Sequence, residues 1–183
     1  MTVRVSDMHD AMHPWYFKRS ISPVLPLTSF KTSIPFGTSM NMDELRSRMS
    51  PDTVEFAERI MGMYEAPFAR SIGLEISYIS RDRVECYLDL RPEHMNSMGR
   101  GHGAAVYALL DHTFAMISNL VHDCTGQNTD VSFYRPAQGR LTAVAVPVNR
   151  SRSLEVYDVR ITNGEGKLVA SGICTAFVLR RDA

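Results

Sequence analysis

The chain has 183 residues, 44% of them apolar, with 20 basic and 20 acidic side chains and a formal charge of zero. That is enough for one domain with a sizeable core, and it supplies no bulk field to recruit nucleic acid or an anionic membrane. No apolar run reaches the roughly 18 residues of a membrane span. Cys86, Cys124 and Cys174 form no CxxC pair, and an odd count argues against a disulfide framework, so they read as reduced thiols of a cytoplasmic protein. The N-terminus lacks a basic-then-apolar signal, and Asp7 and Asp10 count against a transit peptide.

Residues 1–48 hold Pro14, Pro23, Pro26 and Pro35, show no sustained period, and read as an irregular N-terminal extension. Trp15, Tyr16 and Phe17 within it suit either packing on the body or a partner subunit, or a loosely ordered tail. Residues 49–183 are expected to form the domain proper. Ser50-Pro51 reads as a helix start, with Val54, Ala57, Met61 and Tyr64 giving one apolar face.

After Gly73 the pattern turns toward strands. Val84, Cys86, Leu88 and Leu90 alternate with Glu85, Tyr87 and Asp89, which predicts a half-buried strand. A glycine-punctuated turn (Gly99, Gly101, Gly103) then leads into a helix predicted over 103–121. That helix is apolar nearly all round and is expected to be buried, its carboxylate Asp111 with it. Four strand-like runs follow, at 129–135, 141–149, 154–163 and 168–179. This order means an α+β fold, pictured as an antiparallel sheet curled around one long central helix.

The turn and helix carry the chemistry. The first N–H groups of a helix lack intrahelical partners and lie at the positive end of its dipole, so the Gly103 N–H suits a developing oxyanion. Asp111 could move a proton or attack as a nucleophile. It could also be a structural acid held by a backbone N–H or by Thr113. Gly103 and Asp111 are eight residues apart, roughly 12 Å along one helix. Reacting groups must converge to about 3 Å, so two copies related by a two-fold axis would have to share the site. His112 points about 100° away from Asp111 around the helix and is not its partner. The six histidines do not fall at metal-ligand spacings, so no metal is expected.

Asn96, Gly99, His102, Gly103 and Asp111 fall as Asn-x-x-Gly-x-x-His-Gly, with the acid nine residues after the histidine. This resembles the hotdog-fold acyl-CoA thioesterases of the phenylacetyl-CoA thioesterase type. PFARSIGLEI (67–76), TDVSFYRPA (129–137) and GKLVASGICTAFVL (166–179) look like strands of that family. The resemblance covers about residues 51–180. It implies a homodimer, assembling further as a dimer of dimers, and a site shared between subunits. It implies that Asn96 positions the water or the carbonyl, and that Asn128 holds the place of a polar helper. His102 is expected to organise the turn. Coenzyme A would enter as part of an acyl-CoA substrate, with no separate cofactor. Arg150 and Arg152, in a hairpin where its phosphates could pass, are the candidate contacts. Where the family usually has Gly-Gly after the histidine, this chain has Gly103-Ala104, which narrows the space beside the thioester and bears on acyl preference. A non-catalytic acyl-CoA-binding module of the same fold is the alternative, and an enoyl-thioester hydratase a weaker third.

Overall fold

The computed structural model describes residues 39–180. Trp15, Tyr16, Phe17 and the four prolines of the N-terminal extension lie outside them. A short helix, α1 (Met42–Ser47), falls inside the stretch read as irregular. The Asn41 side chain caps it by accepting the Glu44 N–H at 2.9 Å, and Leu45 is buried. The start expected at Ser50-Pro51 is instead a turn. The Thr53 N–H donates to the Ser50 carbonyl at 2.9 Å, and the Ser50 hydroxyl bonds to Asp52. A 3-10 turn at Val54–Phe56 leads into α2 (Ala57–Tyr64), which buries Ala57, Ile60 and Tyr64.

The segment PFARSI, expected as strand, is a helix, α3 (Pro67–Ile72). Pro67 at its first turn has the fixed φ a helix start requires, and Gly73 ends it. Arg70 anchors this corner: it pairs with Glu75 at 3.2 Å and lies over the Tyr64 ring at 4.5 Å, while the Tyr64 hydroxyl donates to Glu75 at 2.9 Å.

Six strands form one antiparallel sheet: β1 (Leu74–Ile79), β2 (Val84–Asp89), β3 (Asp123–Phe133), β4 (Arg140–Arg150), β5 (Leu154–Asn163) and β6 (Leu168–Arg180). Their order is β1-β2-β4-β5-β6-β3, so β3 returns to the far edge beside β6. The long helix α4 (Gly103–Ser118) lies in the concave side. Its Leu109, Leu110, Phe114 and Met116 pack among the inward residues Cys86, Leu88, Ala143, Val159, Ile161 and Ala176, all buried. Period-two burial along β2, the face alternation expected from the sequence, is present.

Helix α4 is not buried all round. Ala104, Tyr107 and Asp111, spaced as one face of a helix, are exposed in the single chain. Asp111 is therefore not the buried carboxylate that the apolar composition suggested. The stripe borders β3, an edge strand of 11 residues with only β6 beside it among the described residues. A bulge at Gln127 interrupts this strand, since Gly126 pairs with Ala176 and Asn128 with Thr175.

Candidate active site

Residues 96–103 form a tight scaffold before α4. The Asn96 side-chain carbonyl accepts the N–H groups of Met98 at 2.9 Å and Arg100 at 3.2 Å, and the Asn96 backbone N–H donates to the Arg100 carbonyl at 2.7 Å. These bonds fix the amide orientation, which leaves its NH2 as the free donor end. Gly99 sits at φ +68°, where a side chain would be strained. Gly101 donates to the Ala137 carbonyl at 2.8 Å. A Cβ there would meet the Ala137 Cβ at 2.9 Å, so only glycine allows the turn to seat against the loop after β3. Beside it, His94 is buried and accepts the Arg91 N–H at 3.1 Å, and its carbonyl accepts the His102 N–H at 2.8 Å.

His102 is the N-cap of α4. Its Nδ1 accepts the Ala104 N–H at 3.0 Å, so the ring organises the turn. The next donor back, the Gly103 N–H, has no intrahelical acceptor available to it. It opens on a groove of about 270 Å³ lined by Asn96, Met98, Gly101, Val106, Phe133 and Pro136, with Arg100 and Arg135 also on its walls. Asn96 and the start of α4 are thus brought together.

Asp111 is not in that groove. It lies two turns along α4, on the exposed stripe. The Thr113 hydroxyl donates to the Leu109 carbonyl at 2.7 Å and so does not hold Asp111. Among the described residues no hydrogen bond or ion pair occupies its carboxylate. Although the side chain reaches solvent, the apolar surroundings of the helix push its pKa above the usual carboxylate range. His112, one residue on, is largely buried with an unpartnered Nε2, and burial drives its pKa down to about 4, so it is a neutral ring turned from Asp111.

The β3 bulge decides which polar side chain faces α4. Asn128 pairs with Thr175 on the outer face and is exposed; its carbonyl accepts the Thr175 hydroxyl at 3.4 Å. Thr129, the next residue, pairs with the fully buried Cys174 on the inner face. Burial pushes the Cys174 thiol up to about 11, and the negative charge of Asp111 adds to that rise while Thr129 offsets it. Thr129 therefore stands near Asp111. Sequence reasoning missed it, because a one-residue bulge shifts the alternation of faces without leaving a compositional mark.

Arg150 lies beyond the other end of α4. It pairs with Asp82 at 3.2 Å, donates to the Arg81 carbonyl, and sits over the Tyr157 ring, whose hydroxyl bonds to the buried Glu155. These groups line a small cavity of about 120 Å³ with Ile117, Ser118 and His122. Arg152, in the same hairpin, also has a partner. Neither arginine borders the Gly103 groove. Among the described residues no cluster of three or more His, Cys, Asp or Glu side chains could hold a metal, and no helix is long and apolar enough to cross a membrane.

Comparison with known proteins places this geometry. Residues 57–178 match the family described as Domain of unknown function (DUF4442). A Deinococcus radiodurans protein named "Putative esterase" is 34% identical over 106 residues, 56% of this chain and 73% of that protein. The phenylacetic acid degradation protein PaaI of Thermus thermophilus is 33% identical at a TM-score of 0.60, with 62% of this chain and 99% of that one covered. The Escherichia coli PaaI protein, at 22% identity, shares the fold at a TM-score of 0.67 over 70% of this chain and 96% of its own. One antiparallel sheet around a central helix, a glycine turn capped by histidine, and these relatives agree: the chain belongs to the DUF4442 family and is a hotdog-fold thioesterase family member.

Proposed function

We propose that the protein hydrolyses the thioester of an aryl- or fatty-acyl-CoA, releasing the free acid and CoA, at a site built by two copies of the chain. The observation that carries this reading is the separation of two complementary half-sites on one helix. The Gly103 N–H opens on a groove beside the Asn96 amide, whereas the unpartnered Asp111 stands two turns away on an exposed stripe. That stripe borders an edge strand, so a second copy docked along β3 brings Asp111 of one protomer against the groove of the other. A dimer of dimers is the expected further assembly.

In this reading the thioester oxygen takes hydrogen bonds from the Gly103 N–H and the Asn96 amide. Asp111 accepts a proton from water as the water oxygen attacks the carbonyl carbon. The oxyanion forms in place at the positive helix end. It collapses with cleavage of the C–S bond, and the CoA thiolate leaves and takes up the proton. Thiolate is a good leaving group, so no strong acid is needed. Thr129 orients the carboxylate or the water. Attack by Asp111 itself through an anhydride uses the same geometry, and rapid-quench trapping of an acyl-Asp111 anhydride with hydroxylamine, which the general-base route never forms, separates the two. A non-catalytic acyl-CoA-binding module would gain nothing from a carboxylate with raised pKa and no partner among the described residues.

The test is thiol release from a panel of aryl-, short-, medium- and long-chain acyl-CoAs. Asp111→Asn is expected to fold and to lose a factor of at least ~10² in turnover. Mixing Gly103→Pro and Asp111→Asn subunits is expected to restore part of it, because each mixed dimer keeps one intact site. Near-wild-type turnover in folded Asp111→Asn rules out the base. Mixed dimers that form but stay inactive rule out the shared site.

A further inference from the structure

The arginines of this domain are for the most part neutralised. Arg91 pairs with Glu93 at 2.8 Å, Arg140 with Asp89 at 2.7 Å, Arg160 with Asp158 at 2.9 Å, and Arg70, Arg81 and Arg150 have carboxylates of their own. Arg100 and Arg135 depart from this pattern, and they share one place. Arg100 and Arg135 both line the Gly103 groove, and among the described residues neither has an ion pair. Arg135 spends one guanidinium nitrogen on the Leu168 carbonyl at 2.6 Å, which steadies its fork and leaves the other nitrogens for a ligand. Among the described residues the Arg100 guanidinium has no acceptor, although its backbone is locked by Asn96.

We propose that Arg100 and Arg135 form an anion clamp for the phosphorylated end of the substrate's pantetheine arm. The inference rests on the thioesterase reading above and gives that site its substrate class. Arg100 stands three residues before Gly103, at most about 11 Å away at the Cα atoms, and its side chain extends the reach. A thioester whose carbonyl oxygen sits on the Gly103 N–H can run its arm over Met98, Phe133 and Pro136, which are apolar or amphipathic walls of the groove. It then meets two unpaired guanidiniums, whose planar donor forks match phosphoryl oxygens. Among the described residues neither guanidinium has a carboxylate to displace, so phosphate binding here breaks none of the described ion pairs. The phosphate could belong to CoA or to the phosphopantetheine of a carrier protein. Arg150, already committed to Asp82 and Arg81 at the far end of α4, has no part in this clamp.

The experiment is calorimetric binding of CoA, 4′-phosphopantetheine and pantetheine to wild type, Arg100→Glu and Arg135→Gln, with thermal melts to confirm folding. Wild type is expected to bind CoA at least ten times more tightly than pantetheine, with an affinity that falls as salt rises. Arg100→Glu is expected to remove that advantage while the pantetheine affinity holds. Arg135→Gln should weaken CoA binding several-fold. Binding of 4′-phosphopantetheine as tight as CoA would locate the clamp on the phosphate shared with carrier proteins. Tighter CoA binding would locate it on the nucleotide phosphates. Equal binding of CoA and pantetheine by wild type, or an Arg100→Glu protein with unchanged CoA affinity, overturns the clamp. Failure of the thioesterase reading is seen separately, as CoA binding without thiol release from any acyl-CoA.

Discussion

Replacing Gly103 by proline removes one N–H and little else, which makes it a sharp probe of the proposed oxyanion donor. Proline is favoured at the first position of a helix, where the N–H has no intrahelical role. The preceding residue must be extended, and His102 already is, at φ −64° and ψ 138°. The cap is untouched, because the His102 ring accepts from Ala104 and not from Gly103. A Cβ at position 103 meets nothing nearer than the Phe133 ring at 3.9 Å. The fold should therefore keep its stability or gain about 0.4–1 kcal/mol from a stiffer unfolded chain. Loss of one oxyanion donor costs a factor of about 10²–10³ in turnover, or about 2.7–4 kcal/mol in the barrier. Gly103→Ala keeps the N–H and adds only the Cβ, so it should hold turnover within severalfold. Thiol release from the best acyl-CoA, alongside thermal melts, reads both variants. A folded Gly103→Pro enzyme with more than a tenth of wild-type turnover, or an alanine variant as inactive as the proline one, would refute the assignment.

The acidic limb of the pH profile should follow Asp111. In the proposed mechanism its conjugate base accepts the proton, and its pKa is raised, so kcat/KM should fall with decreasing pH at a point above 3.8. A limb at or below that value would contradict the assignment. His112 bears on stability instead. Its folded pKa of about 4 lies below the ordinary 6.5, so the unfolded chain protonates first as pH falls. Stability is then lost between about pH 6.5 and 4, by about 3 kcal/mol at most, and is unaffected above that window. Urea melts of His112→Asn across the same range should show a shallower decline than wild type, and parallel curves would count against it. Gly101→Ala forces a methyl to 2.9 Å from Ala137 and should cost about 1–3 kcal/mol, seen as a lowered melting temperature with reduced turnover.

The central helix and the strands after it were legible because their signals are local. An apolar run opened by glycines can hardly be anything but a core helix, and period-two alternation fixes which face of β2 is buried. The strand reading of 67–72 rests on the family resemblance alone; its helix is only six residues long, too short for a period to show, and its opening Pro67 is ambiguous between turn and helix. Helix α1 hid in a proline-rich neighbourhood for the same reason; its one legible mark is Asn41 three residues before Glu44. The apolar run predicts a buried Asp111 because composition cannot tell a helix face that the same chain covers from one it leaves exposed. The pairing state of an arginine depends on which carboxylates the fold brings near. Thus Arg150, a candidate phosphate contact in the sequence, is engaged by Asp82, whereas Arg100 has no ion pair among the described residues.

The bulge at Gln127 also sets how this edge can be used. It leaves 128–133 as a run of regularly paired edge residues, closed at one end by the irregularity and at the other by the end of the strand. A long, flat, unbroken edge invites strand after strand to add without limit. An edge cut to a short register instead offers a single alignment, and a two-fold pairing that uses it consumes it in both copies. In the dimer proposed above, one inserted residue would favour a closed pair over an open ladder.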